Sequence, residues 1–156
     1  MRGIYKAIGA FVLFGAGLAL AAAPRHAAPR LEAQSAEPMP AFHAQAPKAE
    51  LPPVMNPKLF DDILVQNSYV IASRIKKTLY QEPCYCHCDR SQGHSSLLDC
   101  FVSRHASACD ICMREAFYSY EQGKKGKTAS QIREGIVKGD FQQMDISKYE
   151  KPLPAK

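Results

Sequence analysis

The six cysteines of this 156-residue chain constrain its fold more than any other feature, because all of them lie between Cys84 and Cys112. A chain of this length has room for one compact domain. Six thiols in so short a segment of a small domain must lie close together. They therefore indicate a metal site, a set of disulfides or thiol redox chemistry.

The N-terminal residues predict that the chain is exported. Arg2 and Lys6 precede an uncharged apolar run, residues 7–23, that ends in alanines. This pattern is typical of a signal peptide, and an uncleaved anchor helix is the alternative. We expect the protein in the periplasm or cell envelope, anchored to the inner membrane if residues 1–23 are retained. Only residues 7–23 would then contact the membrane.

Composition divides the remainder into three parts. Residues 24–57 hold eight of the eleven prolines and show no hydrophobic periodicity, which predicts an extended linker. A cysteine-rich α-helical domain is predicted over residues 58–147, and a flexible tail over residues 148–156.

The predicted fold is mainly α, a small three-helix domain with a cysteine-rich loop. Apolar spacing and helix start and stop signals give three helices. The first starts at Asn56-Pro57 or at a later turn around Asn67-Ser68, is strongest over residues 69–79 and is ended by Pro83. The second covers residues 105–122, and the third runs from the Thr128/Gln131 capping box to about Gly139.

The first cysteine block alternates along the chain. In an extended segment, residues i, i+2 and i+4 point to the same side. The spacing therefore predicts that Cys84, Cys86 and Cys88 converge on one face. Tyr85 and His87 would then point to the other face.

The second cysteine block has helical spacing, since His105, Cys109 and Cys112 would share one face of a helix. A loop with three thiols facing this helix would form a pocket of soft donors suited to Cu(I) or Zn(II). We therefore predict a transition-metal site with these ligands: Cys84, Cys86, Cys88, Cys100, Cys109, Cys112 and His105, with His87 and His94 as additional candidates.

Two alternatives remain open from the residues alone. Three disulfides are possible, with fifteen pairings, in a disulfide-stapled interaction domain. The Cys109-x-x-Cys112 pair at a helix start is also a redox arrangement, which would suit a thiol–disulfide oxidoreductase or a cytochrome-maturation factor. Attachment of c-type haem needs a His after the second cysteine, and this chain has Met113 there.

Other function classes find less support. The net charge of +5 is modest and no basic stripe with interleaved aromatics is present, which excludes a dedicated nucleic-acid binder. No paired-carboxylate, Ser-His-Asp or phosphate-loop pattern occurs, so no catalytic residue is predicted and enzymatic activity is left open. The expected partners are a metal ion and a protein of the cell envelope.

Residues 83–88 resemble the signature of the bacterial proteins named for a PCYCGC motif, with His87 where that motif has Gly. The resemblance covers residues 66–141 and includes five further elements: a preceding helix over Tyr69–Leu79, Gly93-His94, Leu98–Phe101, Cys109–Cys112 and a closing helix over Thr128–Ile136. It implies an exported protein of a largely uncharacterised family, whose cysteines are associated with metal binding or redox function. Members are often lipoproteins, but no cysteine follows the apolar run here, so a lipid anchor is not implied.

Overall fold

A computed structural model describes residues 38–154, which form helices and turns with no strand among them. The prediction of a mainly α-helical domain is confirmed. The predicted signal or anchor segment lies outside the described residues. None of the described helices is long and apolar enough to cross a membrane. The α-helices are α1 (Ile63–Arg74), α2 (Lys76–Leu79), α3 (Cys88–Gln92), α4 (Asp99–Val102), α5 (Asp110–Lys124) and α6 (Ala129–Val137).

Helix α1 begins at Ile63, between the two predicted starts at Asn56-Pro57 and Asn67-Ser68. The Asp62 carboxylate caps it, accepting hydrogen bonds from the backbone N–H of Leu64 at 2.7 Å and of Val65 at 3.2 Å. The Asn56-Pro57 signal instead caps a single 3-10 turn. The chain bends at Ile75 (φ −120°, ψ 27°), which separates α1 from the short helix α2.

Helix α5 lies at the centre of the domain and packs against α1, α2 and α6. Its buried face includes Cys112, Ala116 and Phe117. The predicted start at His105 is wrong, because residues 105–108 form a separate 3-10 turn before the helix. Asp110 occupies the first turn of α5, where a negative charge is favoured by the helix dipole.

Helix α6 begins as predicted, at a capping box. The Thr128 hydroxyl accepts from the backbone N–H of Gln131 at 3.3 Å, and the Gln131 side chain accepts from the backbone N–H of Thr128 at 3.0 Å. The apolar face of α6 forms a small core between α5 and the 3-10 turn Asp140–Gln143. The buried members of this second core are Tyr118, Ile132, Ile136 and Phe141.

The described part of the predicted linker lies against the helical domain. Pro40 is fully buried, and the His43 ring stacks on Tyr80 with centroids 3.9 Å apart. Further along, the backbone N–H of Met55 donates to the carbonyl of Phe101 at 2.9 Å. Residues 38–57 therefore contact the domain as an irregular segment, which agrees with their lack of helical periodicity. This packing corrects the expectation of an extended linker for that part of the chain.

The C-terminal segment is also held in place over its described part. The ring of Tyr149 is buried and stacks on Phe117 at 4.1 Å. The Asn67 side chain in α1 donates to the carbonyls of Tyr149 at 2.7 Å and Lys151 at 2.8 Å. These contacts correct the expectation of a loose tail up to residue 154.

Candidate metal centre

The first cysteine block folds into a turn. The backbone N–H of His87 donates to the carbonyl of Cys84 at 3.1 Å, and α3 begins at Cys88. The predicted extended segment is wrong, because this turn and the left-handed backbone of His87 (φ 55°, ψ 34°) reverse the chain before Cys88. The turn still brings the Sγ atoms of Cys84, Cys86 and Cys88 within 4.8 Å of one another.

The second cysteine block begins a helix, but the helix starts after Cys109. Cys109 has an extended backbone (φ −131°, ψ 104°) and caps α5, whereas Cys112 lies in the first turn. His105 lies in the preceding 3-10 turn, so the predicted common helical face is wrong. The change of direction at Cys109 nevertheless brings all three donor atoms within 4.8 Å of one another and of the Cys86 sulfur.

Two further donors come from the segment between the blocks. Cys100 lies in α4 and is fully buried. Gly93 ends α3 in the left-handed conformation, and the backbone N–H of the next residue, His94, donates to the carbonyl of Cys88 at 3.4 Å. The His94 ring therefore lies beside the start of α3, with Nδ1 at 3.1 Å from the Cys88 sulfur and 3.3 Å from the Cys100 sulfur.

Eight side chains form four overlapping sets in which all donor atoms lie within 4.8 Å of one another. We define the outer group as Cys86, His105, Cys109 and Cys112, and the inner group as Cys88, His94, Cys100 and His105. The two remaining sets both contain Cys84: one joins it to Cys86 and Cys88, and the other to Cys100 and Cys112. These sets include all six cysteines, His105 and His94.

His87 is the one predicted donor that none of these sets includes. Its backbone is left-handed (φ 55°), and its ring lies edge-on to Tyr85 with centroids 6.0 Å apart. The Gly93-His94 turn was the sequence signal that favoured the other additional candidate, because a glycine at a helix end lets the next side chain fold back over the helix.

The shortest contacts run through Cys84 and Cys112. Their Sγ atoms are 3.3 Å apart, and the Cys84 sulfur is 3.4 Å from that of Cys86. Cys86 in turn lies 3.7 Å from the Cys112 sulfur and 3.7 Å from His105 Nε2. In the inner group, the sulfurs of Cys88 and Cys100 are 3.3 Å apart.

The donors are buried to different degrees, which gives the site a closed side and an open side. Cys84, Cys88, Cys100 and Cys112 belong to the main hydrophobic core. Cys86, Cys109 and His105 are only partly buried. An ion or a second thiol can reach the site from that side without displacing the core.

Hydrogen bonds favour thiolates on the open side. The bond from Cys84 lowers the pKa of Cys86 to about 5, against the opposing effect of burial and with help from His105. The bond with Cys112 lowers the pKa of Cys109 to about 7. Contact with Cys86 raises the pKa of His105. Because thiolates are the form of cysteine that binds metals, these contacts favour the metal-binding state of Cys86 and Cys109. The hydrogen bond with Cys100 raises the pKa of Cys112, and the raised pKa of His105 favours its imidazolium, so a metal ion would have to displace a proton from each of these two groups.

Sequence reasoning missed a buried carboxyl group beside the thiols. Glu115, one turn after Cys112 in α5, is fully buried and accepts a hydrogen bond from the backbone N–H of Tyr85 at 2.9 Å. Burial raises the pKa of Glu115 well above its usual value, although the Tyr85 bond opposes this. Glu115 therefore fixes the turn between Cys84 and Cys86 to helix α5. The only sequence signal was a Glu at a helical position that shares the buried face of Cys112.

The donor set fits a soft metal ion. Four sulfur ligands at the usual Zn–S distance lie about 3.8 Å from one another around a tetrahedron. The short sulfur–sulfur contacts of this site run from 3.3 to 3.7 Å, so small movements suffice to reach that geometry. These sulfur and imidazole groups could hold a metal ion, and their softness favours Cu(I) or Zn(II) over Mg²⁺ or Ca²⁺.

The cysteine segment and the residues around it match a known protein family. Residues 26–154 match the family described as proteins of unknown function with a PCYCGC motif. The chain belongs to the PCYCGC family. The match extends beyond the cysteines to the proline-containing segment and the C-terminal turn, both of which pack on the helical domain here. No curated protein and no solved structure matches the chain.

The PCYCGC family motif also explains the backbone at His87. The motif has Gly at this position, and Gly adopts a left-handed conformation freely. This chain keeps that conformation with a histidine, at a cost of about 1 kcal/mol. The turn that aligns the three thiols is thus retained despite the substitution.

Proposed function

We propose that this protein is exported and binds a soft metal ion, Cu(I) or Zn(II), through its clustered cysteines, to buffer the metal or deliver it to a partner. The observation that carries the proposal is the convergence of six sulfurs and two imidazoles into sets whose donor atoms lie within 4.8 Å. Export is inferred from the apolar pattern of residues 7–23.

The open side of the site supports buffering or delivery over a purely structural role. A structural zinc site is closed by four protein ligands and shielded from exchange. Here Cys86, Cys109 and His105 remain partly exposed, so an incoming thiol can form a bond to the metal before the protein ligands leave. Direct exchange of this kind transfers the ion without releasing it to water.

Metal analysis of the full chain tests the proposal. We expect at least one equivalent of bound metal after anaerobic reconstitution with Cu(I) or Zn(II) and removal of excess ion. Cys112→Ser should reduce the bound amount, since Cys112 belongs to two of the sets. Met113→Leu is the matched control, because it changes the buried neighbour of Cys112 in the chain, leaves all six thiols in place and preserves side-chain volume.

Two results would contradict metal binding by the clustered cysteines. One is bound metal far below one equivalent with both ions, in protein whose six thiols are shown to be reduced. The other is full metal binding by the Cys112→Ser variant. Thiol counting on freshly exported protein also tests the disulfide alternative, which requires six oxidised cysteines in folded, metal-free protein.

A second candidate function, thiol–disulfide exchange, is favoured by one arrangement. Cys109 is partly exposed at the N-terminus of α5, Cys112 is buried one turn later, and the Cys84 sulfur lies 3.3 Å from that of Cys112. An exposed attacking thiol backed by buried resolving thiols is typical of oxidoreductases.

Insulin reduction and equilibration with glutathione measure this activity. If the protein is an oxidoreductase, the Cys109→Ser and Cys112→Ser variants should each lose exchange activity. Unchanged exchange in both variants excludes this function, and the Met113→Leu variant again serves as the control.

A further inference from the structure

Eight donors exceed what one ion can use. A tetrahedral Zn(II) takes four ligands, and Cu(I) bound by thiolates takes no more. The outer and inner groups each supply four donors and have only His105 in common. The arrangement therefore provides two adjacent coordination sites.

Cys84 lies between these two groups. Its sulfur is within 4.8 Å of Cys86 and Cys112 of the outer group, and within 4.8 Å of Cys88 and Cys100 of the inner group. It is only 3% exposed, so it contacts other donors and not solvent. A thiolate has enough lone pairs to bind two metal ions at once. Cys84 belongs to neither group, and its sulfur adjoins two thiols of each.

We propose that the site holds two soft metal ions bridged by the Cys84 thiolate, an inner ion that is retained and an outer ion that exchanges. The proposal rests on the proposed metal-binding function and specifies its stoichiometry and its mode of transfer. The inner ion would be bound by Cys88, Cys100 and His94, and the outer ion by Cys86, Cys109 and Cys112.

The difference in burial gives the two ions different exchange rates. The inner thiols of Cys88 and Cys100 are 1% and 0% exposed, and of the three inner ligands only His94 is partly exposed. A competing ligand must therefore open the core to displace both thiols. In the outer group, Cys86 and Cys109 are partly exposed. A competing chelator should therefore remove the outer ion first and leave a protein that holds one ion.

Native mass spectrometry of the full chain, reconstituted anaerobically with Cu(I), tests the stoichiometry. We expect two ions per chain, with two phases of loss to the Cu(I) chelator bathocuproine disulfonate. The Cys86→Ser/Cys109→Ser double variant should retain only the slow ion. The Cys88→Ser/Cys100→Ser double variant should lose that slow ion, and Met113→Leu should keep both.

The outcomes separate the two proposals. No bound ion refutes metal binding itself, whereas saturation at one ion leaves metal binding intact and overturns the two-ion site. Saturation above two ions also overturns it, in favour of a larger thiolate cluster. Loss of both ions in a single phase overturns the division into a retained and an exchanging ion.

The bridge can be tested without any substitution that might prevent folding. With ¹¹³Cd as the probe, the wild-type chain should give two resonances in the thiolate region that show through-bond coupling to each other. A single resonance contradicts the two-ion site. Two uncoupled resonances contradict the Cys84 bridge.

Discussion

The half of the domain that carries the thiols and the α5–α6 corner are built in different ways. Around the thiols, helices α3 and α4 have five and four residues, and their buried positions include Cys88, Cys100 and Phe101. At the corner, α6 has nine residues and a capping box, and its two buried isoleucines, Ile132 and Ile136, face α5. Local sequence signals and apolar burial thus suffice to define the structure of the α5–α6 corner. The structure of the thiol half depends on contacts between segments that are distant in the chain.

This difference predicts which part of the fold a bound metal ion would stabilise. Helices of four or five residues are far too short to be stable alone, so they depend on the packing of their side chains. In α3 and α4 part of that packing is a set of thiols, which contribute less when they are not bound to metal. We therefore expect metal to stabilise the thiol half and to leave the corner almost unchanged.

Metal removal should give the largest effect. Stripping the reconstituted protein with a chelator under reducing conditions should lower its melting temperature and raise hydrogen exchange over residues 84–112, because binding energy at a metal site becomes folding energy. Helix α6 should keep its protection, which peptide-resolved hydrogen exchange can measure. Equal loss of protection in α6 and around the thiols would contradict the comparison.

Truncating the corner should have the opposite pattern. Ile136→Ala removes a fully buried side chain from the second core and should cost about 3 kcal/mol of unfolding free energy in urea denaturation. Bound metal should stay at the wild-type level, since Ile136 is far in the chain from every cysteine and packs in the other core. Val137→Ala, at a position 46% exposed, is the control and should change stability little. Loss of metal in Ile136→Ala would show that the two halves are not independent.

A smaller effect is expected where α5 and α6 approach most closely. A Cβ at Gly135 would overlap the Tyr118 hydroxyl group. Gly135→Ala should therefore destabilise the protein by about 1–3 kcal/mol through overpacking. Tyr118→Phe, which lacks that oxygen, should restore part of the loss.

The matched control for Gly135→Ala lies in the other helix of the same pair. A Cβ at Gly123 in α5 meets nothing within 4 Å, so Gly123→Ala should stabilise the protein by about 0.5–1 kcal/mol through helix propensity. Thermal denaturation of both variants measures the contrast. Equal effects of the two substitutions would argue against the close approach.

The smallest effect should come from the helix cap. Thr128→Ala removes the hydroxyl that accepts from the Gln131 backbone and should cost about 1 kcal/mol. Ser130→Ala, at an exposed position inside α6, should be close to neutral. Urea denaturation distinguishes the two, and a neutral Thr128→Ala would mean that packing alone defines the start of α6.

Sequence patterns predicted the parts of the fold that local interactions define. The capping box at Thr128 and the apolar spacing of α1, α5 and α6 need only neighbouring residues. They failed at Cys84–Cys88, where the alternating cysteines predict an extended segment but the chain makes a turn. They failed again before Cys109, where helical spacing crosses the boundary between a 3-10 turn and α5.

The segment before α1 shows the same limit of prediction from sequence patterns. The prolines of residues 38–57 gave no periodic signal, although Pro40 is buried and Met55 is hydrogen-bonded to Phe101. Glu115 gave only its helical position on the face of Cys112 as a signal, and an acidic residue in a helix is usually exposed. In each case the deciding partner is distant in the chain, and a single sequence does not reveal which distant residues meet.

By itself, the sequence determined the chemistry: six sulfurs and nearby imidazoles within one short segment can only form a soft-donor site or sulfur–sulfur bonds. The tertiary structure alone decided how those donors are grouped, because the meeting of Cys84 with Cys112 spans 28 residues and depends on how α5 packs against the turn before α3. It also brought His94 to the thiols and placed His87 outside the four donor sets. The spacing of residues along the chain defines the direction of their side chains only over a turn or two of helix. The distance between segments depends on how the core packs.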